Sequence, residues 1–267
     1  GNPANDIPEG WNLMQWINTE IQQLFPGKIS IGESMRNNPW VTKDVGVGGA
    51  GFNAQWDAEF VHSVRQAVIV RDDASRDLGA VSKAIEHRYD LDVFRRVIFT
   101  ESHDEIANGR ARVPEEIWPG NVDSWFSKKR STLGAAVVLT SPGIPMIFQG
   151  QELLEDRWFQ DKDPIDWSRI EGENGILRMY RDLIGLRCNR SGVTRGLCGQ
   201  NIHIYHFDNE AKLIAFHRSD KQGPKDIVVV VVNMTNQNRD GYVIGFPRDG
   251  LWKTRFNSDS YKYDAAF

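Results

Sequence analysis

The sequence predicts an α/β fold of about four strand–helix units followed by a separate all-β region. Up to about residue 190, short β-rich runs alternate with segments whose apolar residues recur at helical spacing. Beyond about residue 200 the period changes to short alternating or continuous apolar runs. The 267 residues, 40% apolar and with nine tryptophans, are enough to bury a large core in one or two domains.

The elements follow in order. Trp11, Leu13, Met14, Ile17, Ile21 and Leu24 share helical spacing and Pro26-Gly27 stops the pattern, so a helix covers 11–24. Residues 28–32 form a strand with Glu33 just past its carboxyl end. Residues 39–56 are glycine-rich and read as a long loop ending in a short strand at 52–56, before helices at about 60–70 and 74–88. A strand at 96–100 leads into Glu101-Ser102-His103-Asp104-Glu105. A polar loop with Pro114 and Pro119 then precedes a helix at 124–140, a buried strand at 145–149 and a helix at 176–187. The junction near 192–200 divides the chain into 1–195 and 196–267, with β runs expected at 202–205, 213–217, 227–233, 242–246 and 252–256.

A closed parallel barrel needs eight units and about 250 residues. Four parallel strands alone leave open apolar edges, a form soluble proteins avoid. The chain is therefore expected to be a piece of a longer one, to pair with another chain, or to form an open, doubly wound sheet.

Thirty-two basic and thirty-six acidic residues give a net charge of −4, which argues against nucleic acid or an acidic membrane as partner and for a neutral one. The longest apolar run, 227–232, is far below the roughly 20 residues that span a bilayer. Gly1-Asn2-Pro3-Ala4-Asn5-Asp6 lacks the basic and apolar regions of a secretion signal, so a cytoplasmic location is expected. Cys188 and Cys198 cannot build a disulfide framework; reduced thiols suit that compartment, and the spacing leaves open one bridge across a short loop.

Gly46-Val47-Gly48-Gly49-Ala50-Gly51 matches the dinucleotide fingerprint letter for letter, yet it has neither a convincing strand before it nor a helix after it. It reads as a flexible loop. His203 and His206, three apart on a strand, are expected on opposite faces, with no cysteine or acid spaced to complete a metal site. No Gly-x-Ser-x-Gly elbow is present. Glu33 and Asp104, the latter beside His103, are more informative, because parallel strands of one sheet present residues at their carboxyl ends on the same side. Converging carboxyl groups suit proton transfer and stabilisation of positive charge; solvated loop acids are the competing explanation.

These residues carry a resemblance. Ile31-Gly32-Glu33-Ser34, Thr100-Glu101-Ser102-His103-Asp104-Glu105 and Ser141-Pro142-Gly143-Ile144-Pro145-Met146-Ile147-Phe148-Gln149-Gly150-Gln151-Glu152, in that order, resemble glycoside hydrolase family 13, the α-amylase superfamily. Phe52-Asn53-Ala54-Gln55-Trp56-Asp57 and Val113-Pro114-Glu115-Glu116 bring the likeness nearest to the 1,4-α-glucan branching enzymes within it. The resemblance implies that 1–195 is the second half, strands five to eight, of a catalytic (β/α)8 TIM barrel, and that 196–267 is an incomplete C-terminal β-sandwich.

It also implies a retaining mechanism, with two carboxyl groups about 5–5.5 Å apart. Glu33 matches the general acid/base, whose pKa burial and a neighbouring carboxylate would raise. Asp104 matches the second, non-nucleophilic aspartate that stabilises the transition state, and His103 binds the same sugar. The nucleophile, in a Gly-Phe-Arg-x-Asp type of motif, has no match: Asp6 lacks the preceding arginine and Asp57 lacks the context. The family's earlier Asn-His motif is also absent. The chain alone is then expected to be inactive, with the N-terminal half of the enzyme as its missing partner and a glycogen- or amylose-like α-1,4-glucan as substrate.

Trp40, Trp56 and Trp118 sit on loops where they could stack on glucose rings, with ordinary packing as the alternative for each. Gln149 and Glu152 are expected to serve as hydrogen-bonding scaffold. The chemistry calls for no cofactor and no metal. An α-glucan hydrolase of the same superfamily, or a non-catalytic glucan-binding half, are the competing functions.

Overall fold

Helix starts in this chain are set by their caps. A computed structural model describes residues 7–107, 110–170, 174–221 and 226–267. Helix α1 (Pro8–Leu24) begins a turn earlier than its apolar spacing indicated, because Pro8 and Glu9 occupy first-turn positions that favour proline and acid. In α2 (Ala58–Ile69) the Asp57 carboxylate accepts from Phe60 N; in α3 (Leu78–Glu86) Asp77 accepts from Ala80 N. Ser124 and Asn174 cap α5 (Trp125–Thr140) and α6 (Gly175–Arg187) in the same way. A short helix, α4 (Val113–Ile117), lies where the prolines indicated a loop; Pro114 sits in its first turn, where no backbone N–H is needed.

Four strands, β1 (Ile31–Gly32), β2 (Ala54–Trp56), β3 (Arg96–Ile98) and β4 (Ile144–Pro145), form one sheet in chain order. Every pairing is parallel, through Ile31 with Ala54, Gln55 with Arg96 and Val97 with Ile144. The strands are shorter than their apolar runs, because only two or three residues of each find a ladder partner.

Ile98 points to one face of this sheet and packs with Phe60, Val64, Leu78, Val81, Val137 and Val138 of α2, α3 and α5. Ala54, Val97 and Phe99 cluster with Trp56, Met35, Ile144 and Met146. A strand order without reversal has no topological switch point, so the doubly wound alternative is set aside.

Three further strands, β5 (Asn201–Asp208), β6 (Leu213–Ser219) and β7 (Val228–Asn233), make an antiparallel meander. Ile214, Phe216 and Val232 join the same cluster as Ile98, so helices α2, α3 and α5 lie between core side chains of both sheets. The runs at 242–246 and 252–256 are not strands. Val243 and Leu251 are fully or nearly fully exposed there, since apolar alternation supplies a face but no ladder partner.

The histidine expectation also needs correction. His203 pairs with His217 and His206 with Ala215, because an irregularity between Ile204 and His206 adds one residue to β5. His217 and Ala215 are two apart on β6, so His203 and His206 share a face. Their contacts differ: His203 Nδ1 is 3.3 Å from His217 Nε2, whereas His206 Nε2 is 2.7 Å from the Tyr242 hydroxyl.

Helix α1 packs through its polar side. Trp11 Nε1, Gln15 Nε2 and Asn18 Nδ2 donate to the carbonyls of Gly48, Gly49 and Ala50 at 3.1, 2.9 and 2.7 Å. The glycine run is thus pinned rather than flexible. A Cβ at Gly49 would lie 2.1 Å from the Lys43 carbonyl oxygen, which is why glycine is required there. The run enters from a 3-10 turn, Val45–Val47, and leaves into β2, so the strand–turn–helix frame of a dinucleotide site is not formed. Among the described residues, no helix is long and apolar enough to cross a membrane.

Candidate active site

Parallel pairing with β2 between them places the carboxyl ends of β1 and β3 on one side of the sheet, and each is followed by a solvent-facing acid there. Glu33 follows Gly32 directly, and His103 and Asp104 occupy a turn after β3. His103 Nε2 lies 3.5 Å from Glu33 Oε1 and 3.4 Å from Asp104 Oδ1. Ligand atoms of the three residues all lie within 4.8 Å of one another. The convergence expected for Glu33, His103 and Asp104 is therefore present.

The turn that presents His103 and Asp104 is held by the acids on either side of them. Glu101 is buried; its carboxylate accepts from Arg112 Nη1 at 2.9 Å and from the Val113 backbone N–H at 2.5 Å. Arg112 also donates to the Gln149 carbonyl, and its guanidinium lies 4.8 Å from the Phe148 ring. Glu105 is equally buried and takes Arg110 Nη1 at 2.8 Å, with His62 and Arg65 at 3.3 and 3.8 Å. Four acids and bases adjacent in sequence thus divide by burial: 101 and 105 anchor, 103 and 104 face solvent.

Gln151 Nε2 donates to Thr100 Oγ1 at 2.7 Å, and Arg65 donates to the Thr100 carbonyl. Gln151 fills the scaffold role expected of Gln149, which contributes its backbone carbonyl instead. One buried carboxylate oxygen of Glu152 has no hydrogen-bond partner among the described residues. Sequence reasoning passed over Arg112, Arg65 and Gln151; the one available signal was the number of charged residues packed into 101–116.

Trp56 stands edge-on to both Phe99 and His103, with ring centroids 5.1 and 5.9 Å away. It is half-buried and forms a wall of the site. Trp40 is 44% exposed and its ring is covered by Lys43 Nζ at 4.0 Å. Trp118 follows α4 and leans on Phe126. Of the three tryptophans, Trp56 is the one with a direct contact to the Glu33–His103–Asp104 cluster.

Asp57 is wholly buried. Its carboxylate caps α2, lies 2.8 Å from His87 Nδ1 and accepts from Arg96 Nη1 at 3.0 Å. Burial pushes the Asp57 carboxyl up, but the His87 hydrogen bond and the Arg96 charge outweigh it and hold the group below the usual range. Such a carboxylate is committed to structure. Asp6, the other acid weighed from the sequence, lies outside the described residues.

The side chain of Glu33 is 45% exposed and that of Asp104 59%, so the burial expected around the acid/base is not supplied by the described residues. A carboxyl pair bridged by an imidazole at parallel strand ends can donate a proton to a leaving oxygen and balance positive charge beside it.

Residues 204–266 match the alpha amylase C-terminal all-beta domain. The particular likeness is to glucan branching enzymes. The chain is 29% identical, over 98% of its length, to a 1,4-alpha-glucan branching enzyme GlgB of Prochlorococcus marinus (strain MIT 9515), and 28% identical, over 96%, to that of Rhodospirillum rubrum. It spans 34% of the length of each relative, about a third. Among solved structures, an Anoxybacillus alpha-amylase superposes with a TM-score of 0.64 at 17% identity, covering 85% of this chain and 46% of that one. A pullulanase from Anoxybacillus sp. LM18-11, solved with maltotetraose, gives 0.61 at 19%, covering 85% and 36%. The resemblance read from the motifs stands: along nearly all its length the chain is similar to the C-terminal portion of branching enzymes.

Proposed function

We propose that this chain is the part of a retaining 1,4-α-glucan branching enzyme that supplies the acid/base and the transition-state carboxylate. The convergence of Glu33 and Asp104 on His103 carries this reading. On it, residues 1–195 form the second half of a (β/α)8 barrel and 196–267 form its C-terminal β domain.

In the reaction, Glu33 protonates the departing glycosidic oxygen as the α-1,4 bond breaks, and later removes the proton from the attacking 6-hydroxyl. Asp104 places negative charge beside the oxocarbenium-like sugar, and His103 hydrogen-bonds its hydroxyls. Trp56 lines the same wall. The nucleophile comes from a strand end outside these 267 residues, and without it the chain does not turn over. A preceding half-barrel would also enclose Glu33, giving it the low-polarity surroundings that a general acid needs.

The apolar side of α1 supports such a neighbour. Leu13, Ile17 and Leu24 are each about half exposed or more, while the polar side of the helix packs on the chain. Transfer to a glucan hydroxyl prevails over hydrolysis when the acceptor is held better than water.

The deciding experiment is linkage analysis of amylose treated with the full-length protein. New α-1,6 branches that vanish in Glu33→Gln support the reading. Shortened chains without branches point to a hydrolase, and retention on a glycogen gel without turnover points to a binding role.

A further inference from the structure

Cys188 follows the last residue of α6, and Cys198 ends the 3-10 turn Arg195–Cys198 that leads into β5. The intervening segment folds back on itself. Asn189 and Gly192 take left-handed φ values of 50° and 74°. Thr194 then ties the return to the helix end, its hydroxyl donating to the Leu186 carbonyl and its N–H to Asn189 Oδ1, both at 2.8 Å.

This return brings Cys198 Sγ to 3.2 Å from the Arg187 carbonyl oxygen. That oxygen belongs to the peptide unit whose nitrogen is Cys188's own, so the sulfur lies within about 6 Å of the Cys188 Cα by standard peptide dimensions. In a disulfide each sulfur lies about 4 Å from the partner's Cα, so closing the bond asks Cys198 Sγ to move by about 2 Å at most, off the carbonyl and towards Cys188. Both thiols are free and solvent-exposed.

Two arginines place positive charge beside the sulfur: Arg187 and Arg218 lie within electrostatic reach of Cys198, whereas Arg195 is paired with Asp220 at 2.7 Å. Arg187 and Arg218 are buried and donate to backbone carbonyls, Ser141 and Gly143 for the first, Thr140, Leu197 and Gly199 for the second. Carbonyls leave their positive charge uncompensated, which draws an anionic reagent to the nearby sulfur.

We propose that Cys188 and Cys198 are a redox pair that closes into an intramolecular disulfide when it meets a low-molecular-weight anionic disulfide such as oxidised glutathione. The Cys198 thiolate attacks one sulfur of the reagent, forming a mixed disulfide and releasing one thiol. The Cys188 thiolate then attacks the Cys198 sulfur and releases the second thiol. Two electrons pass from the cysteines to the reagent, whose two sulfurs leave as thiols carrying the two protons. The new bond staples the end of α6 to the turn that starts the antiparallel sheet, at the junction of the two regions. It stands independently of the proposed catalytic role.

The test is peptide mapping of the folded full-length protein after incubation with oxidised glutathione and alkylation under native conditions. The expected result is a linked peptide pair containing Cys188 and Cys198, lighter by two hydrogens than the separate peptides and resolved by dithiothreitol. Cys188→Ser should instead trap one glutathione moiety on Cys198. Two glutathione moieties on the wild type without a link, a link only between two molecules, or two thiols still open to alkylation would each overturn the proposal. A far-UV spectrum unchanged in Cys188→Ser shows that the trapping result comes from a folded protein.

Discussion

His103 Nε2 stands 3.5 Å from Glu33 Oε1, joining the ends of β1 and β3 across the intervening β2. The contact uses a side chain that is itself fixed edge-on against Trp56. Because Glu33 and Asp104 flank the same imidazole, the group between them governs where each carboxylate points. On the proposed function, substitution of the Glu33 carboxyl removes the proton donor, whereas substitution of the imidazole removes alignment.

If the proposed function holds, Glu33→Gln in the full-length protein should lower kcat for α-1,6 bond formation by about 10²–10⁴-fold, the usual contribution of a general acid. On the same proposal Asp104→Asn should fall in the same range, since it would lose charge at the transition state. His103→Ala should cost less in kcat and raise KM for amylose. Steady-state kinetics with linkage analysis measures all three, and an unaffected Glu33→Gln enzyme would remove Glu33 from the reaction.

Much of this arrangement was legible in the sequence because strand-end position is a one-dimensional property. Glu33 and Asp104 follow β-rich runs, and parallel pairing does the rest. What escaped depends on three dimensions. The bulge that places His203 and His206 on one face has no spacing signal, and Pro114 looks alike in a loop and in a helix's first turn. The apolar runs at 242–256 promise strands, yet a strand needs a neighbour, which no run of residues announces. Glu101 and Glu105 look like Asp104 in sequence and differ only in the arginines that folding brings to them.

Acid stability should report on Asp57. Its carboxyl is held below the ordinary value by His87 and Arg96 against the upward push of burial. A depressed native pKa makes the stabilisation present above the unfolded value of 3.8 and lost as pH falls through the native one. Urea midpoints should hold between about pH 5 and 7 and fall as pH drops below about 4. In Asp57→Asn that specific acid loss should shrink, because no carboxylate remains to be protonated there.

Arg112 and Glu101 form the second buried pair, with side chains 2% and 1% exposed. Arg112→Met leaves Glu101 buried with a single N–H donor from Val113. Removing one partner of a buried pair costs about 3–5 kcal/mol. Replacing both, as Glu101→Gln with Arg112→Met, should recover part of that loss, because no uncompensated charge is left inside. Denaturant unfolding of the two variants checks the difference; equal losses would show that the charge itself is not what matters.

Helix α1 offers a test of what stands beside it. An amphipathic helix normally turns its apolar stripe to the core. Here Gln15 and Asn18 bind the glycine run while Leu13, Ile17 and Leu24 remain 51%, 48% and 62% exposed. An exposed position tolerates charge within about 0.5 kcal/mol, whereas an unpaired charge forced under a neighbour costs several times that. If the preceding segment of a longer polypeptide covers this stripe, Ile17→Glu should be close to neutral for residues 1–267 expressed alone and should destabilise the full-length protein by about 2–4 kcal/mol. Thermal unfolding of both forms separates the cases. Neutrality in each would leave the stripe without a partner and would weaken the half-barrel reading, because a barrel closed against β1 has to place something over α1.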